Sequence, residues 1–260
     1  IRRKYGAPHG AVVLVGCGVA HWRKAPDLFV EVAAKVRRSS SRQVYFIWIG
    51  GGPDLDECRS QAVELGVSDI VNFVGFSNEA EAIIGSSDVF MLPSLEDPFP
   101  LVCIHAALNG LPIVCFEEAG GVPAFVAQGA GVATPFKNTD AMAAAAVRYV
   151  EDVALRRQAG ERGRILAKNH LVSATGPMLL ALIKQATGEP PHVSVVVPNY
   201  NYEKFLSQRL DTIYRQTFQD FEVILLDDAS IDNSIDLLRE AANHASTRLH
   251  VNDRNTGSPF

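Results

Sequence analysis

Short continuous apolar runs alternate along the chain with stretches whose apolar residues recur every three or four positions. Runs of strand length lie at 11–15, 44–49, 71–74, 89–92 and 113–116. Between them, 26–38 carries Leu28, Phe29, Val32, Ala33 and Val36 at the spacing of one helical face. Pro26 suits the first turn of that helix, where a missing N–H costs nothing. Helices are predicted also at about 55–65, closed by Gly66, and at 79–84 and 101–108, the last ended by Asn109-Gly110. Three more follow at 139–150, 154–168 and 174–187. Strands without polar alternation, interleaved with helices, predict an α/β fold: a Rossmann-like parallel sheet covered on both faces. In such sheets a ligand sits beyond the carboxyl ends of the strands, where the glycine-rich turns and charged loops of this chain fall.

The pattern breaks at Gly188-Glu189-Pro190-Pro191, since paired prolines cannot continue a helix and form a stiff connector. It then restarts, with strands at 193–197, 222–226 and 249–251 and helices at 203–217 and 231–245. The expected organisation is a first domain over 1–187, a linker over 188–192 and the truncated start of a second α/β domain over 193–260.

Composition adds exclusions. With 47% apolar and 20% charged residues the chain is ordinary globular material, and a formal charge of −5 argues against a nucleic-acid partner. Cys17, Cys58, Cys103 and Cys115 show no CxxC spacing, which predicts reduced thiols, no zinc and a cytoplasmic location. No apolar stretch reaches membrane-spanning length, and no signal peptide is visible. The chain starts with Ile1 and stops at 255–260 with no element to close it, which reads as a piece of something longer.

Several groups of residues could carry chemistry. Gly16-Cys17-Gly18 follows a strand, and Arg23-Lys24 stands just before a helix; glycine amides, helix dipole and cation together suit a diphosphate. The same residues also fit a plain tight turn with a solvated basic pair. Gly50-Gly51-Gly52-Pro53 allows close backbone approach to a ligand, or is simply a turn.

The run Leu92-Pro93-Ser94, then Glu96-Asp97-Pro98-Phe99-Pro100-Leu101-Val102, then Gly110-Leu111-Pro112-Ile113-Val114, resembles the signature of the retaining family-4 glycosyltransferases of GT-B fold. So do Gly16-Cys17-Gly18 with Arg23-Lys24, Trp48-Ile49-Gly50-Gly51-Gly52-Pro53, Val71-Asn72-Phe73-Val74-Gly75-Phe76 and Ala119-Gly120-Gly121-Val122-Pro123. The resemblance spans about 1–187 and implies the lobe that binds a nucleotide-diphosphate sugar, UDP- or GDP-linked, with no metal. It implies that Lys24, with Arg23, holds the diphosphate, and that Gly16, Gly18, Gly51, Gly52 and the amides of Phe99 and Leu101 line the donor site. The family's paired carboxylates, with seven residues between them, fall on Asp97, the catalytic candidate that meets the sugar, and on His105, at the ribose position. Three departures stand out. Imidazole replaces the second carboxylate and can accept through only one nitrogen; read plainly, His105 is a helix-surface residue. Pro98 and Pro100 remove two amide donors from the loop, and Gly18 stands where members often carry arginine.

A second group, Val193-Ser194-Val195-Val196-Val197-Pro198-Asn199-Tyr200-Asn201, then Leu225-Leu226-Asp227-Asp228-Ala229-Ser230, then Asn252 and Asn255-Thr256-Gly257, resembles the opening of an inverting family-2 glycosyltransferase of GT-A fold. By that resemblance Pro198, Tyr200, Asp227 and Asp228 belong to the nucleotide site, and a complete domain would use Mg²⁺ or Mn²⁺. Helix capping by Ser230 or Asp232 is the structural alternative for this segment. The combined expectation is a fragment of a bifunctional glycosyltransferase that builds a glycan or polysaccharide. Such enzymes can touch the inner membrane face peripherally, although no amphipathic anchor is visible. The rival readings are a nucleotide-sugar-binding scaffold without catalysis and a nucleotide-sugar epimerase of the same fold.

Overall fold

The computed structural model describes residues 1–187, 191–255 and 257; residues 188–190 of the predicted linker and Thr256 lie outside them. The chain divides into two compact units, Ile1–His170 and Leu171–Phe260.

The first unit is built on six strands, β1 (Val12–Cys17), β2 (Val44–Ile49), β3 (Val71–Gly75), β4 (Val89–Leu92), β5 (Ile113–Phe116) and β6 (Gly131–Thr134). They form one sheet in the order β3-β2-β1-β4-β5-β6, parallel throughout. The helices are α1 (Pro26–Ser39), α2 (Leu55–Glu64), α3 (Ala80–Gly85), α4 (Leu101–Leu108), α5 (Val122–Phe125), α6 (Thr139–Glu151) and α7 (Val153–Ala167).

Strand alternation sorts the core into two layers. Val12 and Leu14 of β1 join Phe46, Trp48, Met91 and Phe116 beneath Phe29, Val32, Val36 and Met142 of α1 and α6. Val13 and Val15 point the other way, with Ile47, Phe90, Leu92 and Ile113, toward Ile83 and Ile84 of α3, Cys103 and Ile104 of α4, and Leu166 of α7. Fully burying a side chain of this size contributes about 1.5–3 kcal/mol. Helix starts are fixed locally: Asn138 Oδ1 accepts from the Ala141 amide at 2.9 Å and the Asp152 carboxylate from the Leu155 amide at 2.9 Å.

The sequence reading omits α5, β6 and the π-helical turn Val126–Ala130 that joins them. β6 is Gly-Val-Ala-Thr on the sheet edge, too short and too mixed in polarity to register as an apolar run.

The second unit contains α8 (Val172–Thr187), β7 (Val193–Asn199), α9 (Glu203–Tyr214), β8 (Phe221–Asp227), α10 (Ser234–Ala241) and β9 (Thr247–Val251). Its strands form a parallel sheet in the order β7-β8-β9. α10 starts later than the predicted 231, because the preceding loop is tied elsewhere: Asn201 Oδ1 accepts from the Ile231 amide at 2.8 Å and Asp232 Oδ1 from the Ser234 amide at 3.0 Å. The buried core here is small: Val197, Leu206, Leu210, Phe221, Val223, Leu225 and Leu238. Little buried area leaves a unit marginal. Calorimetry is therefore expected to resolve two transitions, the second unit melting first; a single cooperative transition would contradict this.

Candidate functional site

The order β3-β2-β1-β4-β5-β6 reverses direction between β1 and β4, so the loops that follow these two strands diverge and leave a crevice at their carboxyl ends. Three backbone contacts tie the crevice walls. The Leu95 amide donates to the Arg23 carbonyl at 2.8 Å, joining the loop after β4 to the loop after β1. The Asp97 amide donates to the Ala119 carbonyl at 2.7 Å, and the Gly121 amide to the Pro98 carbonyl at 2.6 Å, which fasten the same loop to the turn after β5.

These ties bring Lys24 and Asp97 together. Lys24 Nζ donates to Asp97 Oδ2 in an ion pair that bridges the crevice. Asp97 is only 8% exposed, and the Ser94 hydroxyl, itself buried, lies 3.3 Å from the same carboxylate oxygen. Ser94 was not among the predicted site residues; its place in the Pro-Ser run was the available signal. Arg23 sits at the rim, Nη2 3.4 Å from the Glu96 carbonyl.

The predicted glycines have distinct jobs. A Cβ on Gly16 would stand 2.8 Å from the Trp48 ring, so its missing side chain makes room for core packing. A Cβ on Gly18 would press on the Lys24 stem at 3.1 Å. Gly51 accepts from the Ala20 amide at 2.9 Å, and a Cβ on Gly52 would meet the Ala20 carbonyl at 2.2 Å, so the loops after β1 and β2 run in backbone contact. Gly50 has φ +129°, and a Cβ there would lie 2.0 Å from the Gly18 carbonyl. Two conditions, a positive φ and no space, reserve that position for glycine.

Leu101 opens α4 and is exposed. Phe99 turns away from Lys24's partner toward a ring cluster: it stacks on His170, with centroids 5.2 Å apart and planes 17° off parallel, and meets Phe125 edge-on at 6.1 Å. The sequence reading singled out neither His170 nor Phe125. His105 takes a partner on α3, its Nδ1 lying 3.2 Å from Glu81 Oε1, beside a cavity of about 420 Å³ that both residues line. Beneath the crevice, burial pushes the Cys103 thiol well above its ordinary pKa and Cys115 up to about 12; Cys17, partly exposed near Lys24, is also raised by burial, with Lys24 opposing. Thiols that stay protonated are poor nucleophiles.

In the second unit Asp227 is 1% exposed and accepts from Asn199 Nδ2 at 2.7 Å, the Ser230 amide at 2.8 Å and the Ser230 hydroxyl at 2.6 Å. This network braces the strand ends. Asp228 lies on the exposed side, accepting from Asn252 Nδ2 at 2.8 Å and the Gly257 amide at 3.1 Å, and its own amide donates to the Asn199 carbonyl at 3.0 Å. Pro198 sits within β7, opposite Leu226, and Tyr200 is 44% exposed just beyond the strand. Ser230 serves the Asp227 network, and Asp232 takes the first amide of α10. Among the described residues no cluster of three His, Cys, Asp or Glu side chains is arranged to hold a metal ion, so the Mg²⁺ or Mn²⁺ expected for a complete second domain has no ligand set among them. Also among the described residues, no helix is long and apolar enough to cross a membrane.

The model of the glycosyl transferases group 1 matches residues 1–166, more than half of the chain. The chain belongs to that family. A second model, glycosyl transferase family 2, matches residues 194–258 of this group 1 chain. It is 27% identical over 194 residues to the D-inositol 3-phosphate glycosyltransferase of Corynebacterium efficiens, covering 72% of this chain and 46% of the relative. It is 28% identical over 163 residues to the lipopolysaccharide core biosynthesis glycosyltransferase LpsE of Rhizobium meliloti, covering 62% and 46%. The group 1 chain thus spans about half the length of the curated relatives it matches. Among solved structures, a glycosyltransferase from Rickettsia africae superposes with TM-score 0.65 at 16% identity, covering 72% of this chain and 51% of that one. The Anabaena protein HepE in complex with UDP gives 0.63 at 21%, covering 70% and 51%. Both likenesses establish the fold: a Rossmann-like parallel sheet of the GT-B kind.

Proposed function

We propose that the first unit binds a nucleotide-diphosphate sugar in the crevice beyond β1 and β4, as the donor half of a retaining glycosyltransferase, and that the segment after it opens a family-2 transferase in a bifunctional, glycan-building parent. The observation that carries this reading is the Lys24–Asp97 pair at the switch point. An ammonium group there suits a diphosphate, whereas a nearly buried carboxylate repels phosphate and suits the hydroxyl groups of a sugar. In their ion pair the two charges neutralise each other. A donor would part them, placing its diphosphate on Lys24 and its sugar hydroxyls on Asp97, while the bare backbone of Gly51 admits the nucleotide closely and Gly52 holds that loop against Ala20. The test is a calorimetric titration of UDP- and GDP-sugars, UDP first because HepE is solved with UDP. Saturable binding of one nucleotide supports the proposal, and silence from every donor with a folded protein opposes it.

One contact favours a second reading, donor binding without transfer: His105, at the family's second carboxylate, is engaged by Glu81. Restoring the carboxylate tests it, but His105→Glu alone would set two carboxylates side by side, a destabilising arrangement. His105→Glu combined with Glu81→Gln is therefore expected to tighten donor binding about 10-fold or more, the scale of a regained charge-assisted hydrogen bond. Unchanged affinity in the double variant would mean that position 105 does not contact the donor.

A further inference from the structure

The loop that carries Asp97 is poor in its own hydrogen bonds. Pro98 and Pro100 flank Phe99 and have no amide to donate. Beyond the Leu95–Arg23 bond and the Lys24–Asp97 pair, the loop is held by its pair of contacts with the turn at 119–121 and by the ring cluster of Phe99, Phe125 and His170. Phe125 comes from α5 and packs within the core. His170 comes from a 3-10 turn, Lys168–His170, at the end of α7, and is exposed. It stacks on Phe99 with centroids 5.2 Å apart and meets Phe125 in a T-shaped arrangement at 5.6 Å and 72°. Both geometries are favourable for aromatic pairs. Pro98 fixes its own φ and so stiffens the short link between the Phe99 ring and the Asp97 carboxylate.

We infer that His170 is a positioning residue for the sugar-binding carboxylate: it clamps Phe99 and so holds Asp97 where sugar hydroxyls are met, without touching the donor. The inference rests on the donor-site reading above. It assigns a selectivity to His170. Lys24 stands on the other wall of the crevice, and once a donor has parted it from Asp97 it makes no contact with the clamped loop, so loss of His170 weakens the grip on the sugar and spares the grip on the diphosphate. His170 is also the last residue of the first compact unit, so the donor loop is anchored where the two units join in sequence.

Two measurements on the full chain test this, with His170→Ala and the ring-restoring His170→Phe. By hydrogen exchange, the amides of Asp97 and Gly121 are expected to exchange about 10-fold faster in His170→Ala and to return to wild-type rates in His170→Phe, as local opening predicts. By calorimetry, His170→Ala is expected to lose about 5-fold in affinity for UDP-glucose (or GDP-mannose, whichever the wild type binds) and less than about 2-fold for the matching nucleoside diphosphate, with His170→Phe restoring the difference, on the scale of one aromatic pair. Unchanged exchange in His170→Ala overturns the clamp. Equal loss for sugar donor and bare diphosphate overturns the positioning role and leaves only a structural one. Faster exchange in a protein whose wild type binds no nucleotide would support the clamp while rejecting the donor-site reading.

Discussion

Lys24→Ala is expected to lower the affinity for a nucleoside diphosphate by about 10- to 150-fold. A hydrogen bond to a charged partner contributes roughly 1.5–3 kcal/mol, and each 1.4 kcal/mol is tenfold in binding. The competing effect is on the fold. Asp97 is nearly buried, and without Lys24 its carboxylate keeps only the 3.3 Å contact from Ser94. Removing one partner of a buried pair is costly, although Lys24 is 22% exposed and the full penalty is reduced by solvent. The variant Lys24→Met with Asp97→Asn separates the two effects, since it removes the phosphate-binding charge and leaves no orphaned carboxylate. Both variants should lose nucleotide binding in titration, while the double variant melts at the higher temperature. Wild-type affinity in Lys24→Ala would place the diphosphate elsewhere.

Gly120→Ala should be among the most damaging single substitutions in the first unit. Gly120 has φ +140°, and a Cβ there would lie 1.8 Å from the Asp97 carbonyl oxygen and 3.1 Å from that of Pro98. Both neighbours are backbone, so no side chain can rotate away. A loss of roughly 3–5 kcal/mol is expected from strain and overlap together. For a unit of this size that corresponds to a fall of about 10 °C in melting temperature. Gly10→Ala is the matched control: φ is +81°, but nothing lies within 4 Å of the new methyl, so only backbone strain of about 1 kcal/mol applies. If the two variants melt alike, the close approach of the turn at 119–121 to the Asp97 loop is not what holds them.

Much of this architecture could be read from residue patterns because the central strands are buried on both faces. Strands such as β2, Val-Tyr-Phe-Ile-Trp-Ile, leave no competing interpretation once helical periods flank them. Edge strand β6 lacked that signal, since it has only four residues, three of them half-buried. Within the site, Lys24 and Asp97 are 73 residues apart in sequence, and only their family resemblance set them in one place before the fold did. Other assignments needed coordinates. Gly16 makes space for Trp48, and Asp227 braces Asn199 and Ser230, because a glycine or an aspartate beside a strand end has the same sequence appearance whether it faces a ligand or the interior. His170 had no signal at all; it meets Phe99 from 71 positions away by the shape of its plane.

The seam between the crevice walls consists of main-chain groups: the Leu95 amide on the Arg23 carbonyl, the Asp97 amide on the Ala119 carbonyl and the Gly121 amide on the Pro98 carbonyl. No side-chain atom of residues 23, 95 or 119 enters these three bonds, although Leu95 and Ala119 also pack on the apolar core and the Arg23 guanidinium reaches the Glu96 carbonyl. A substitution at 23, 95 or 119 therefore acts through packing or the rim contact, while the carbonyls of 23 and 119 and the amide of 95 stay in place for any residue but proline at 95. The alignment of Lys24 with Asp97 is thus set by the backbone paths of three loops.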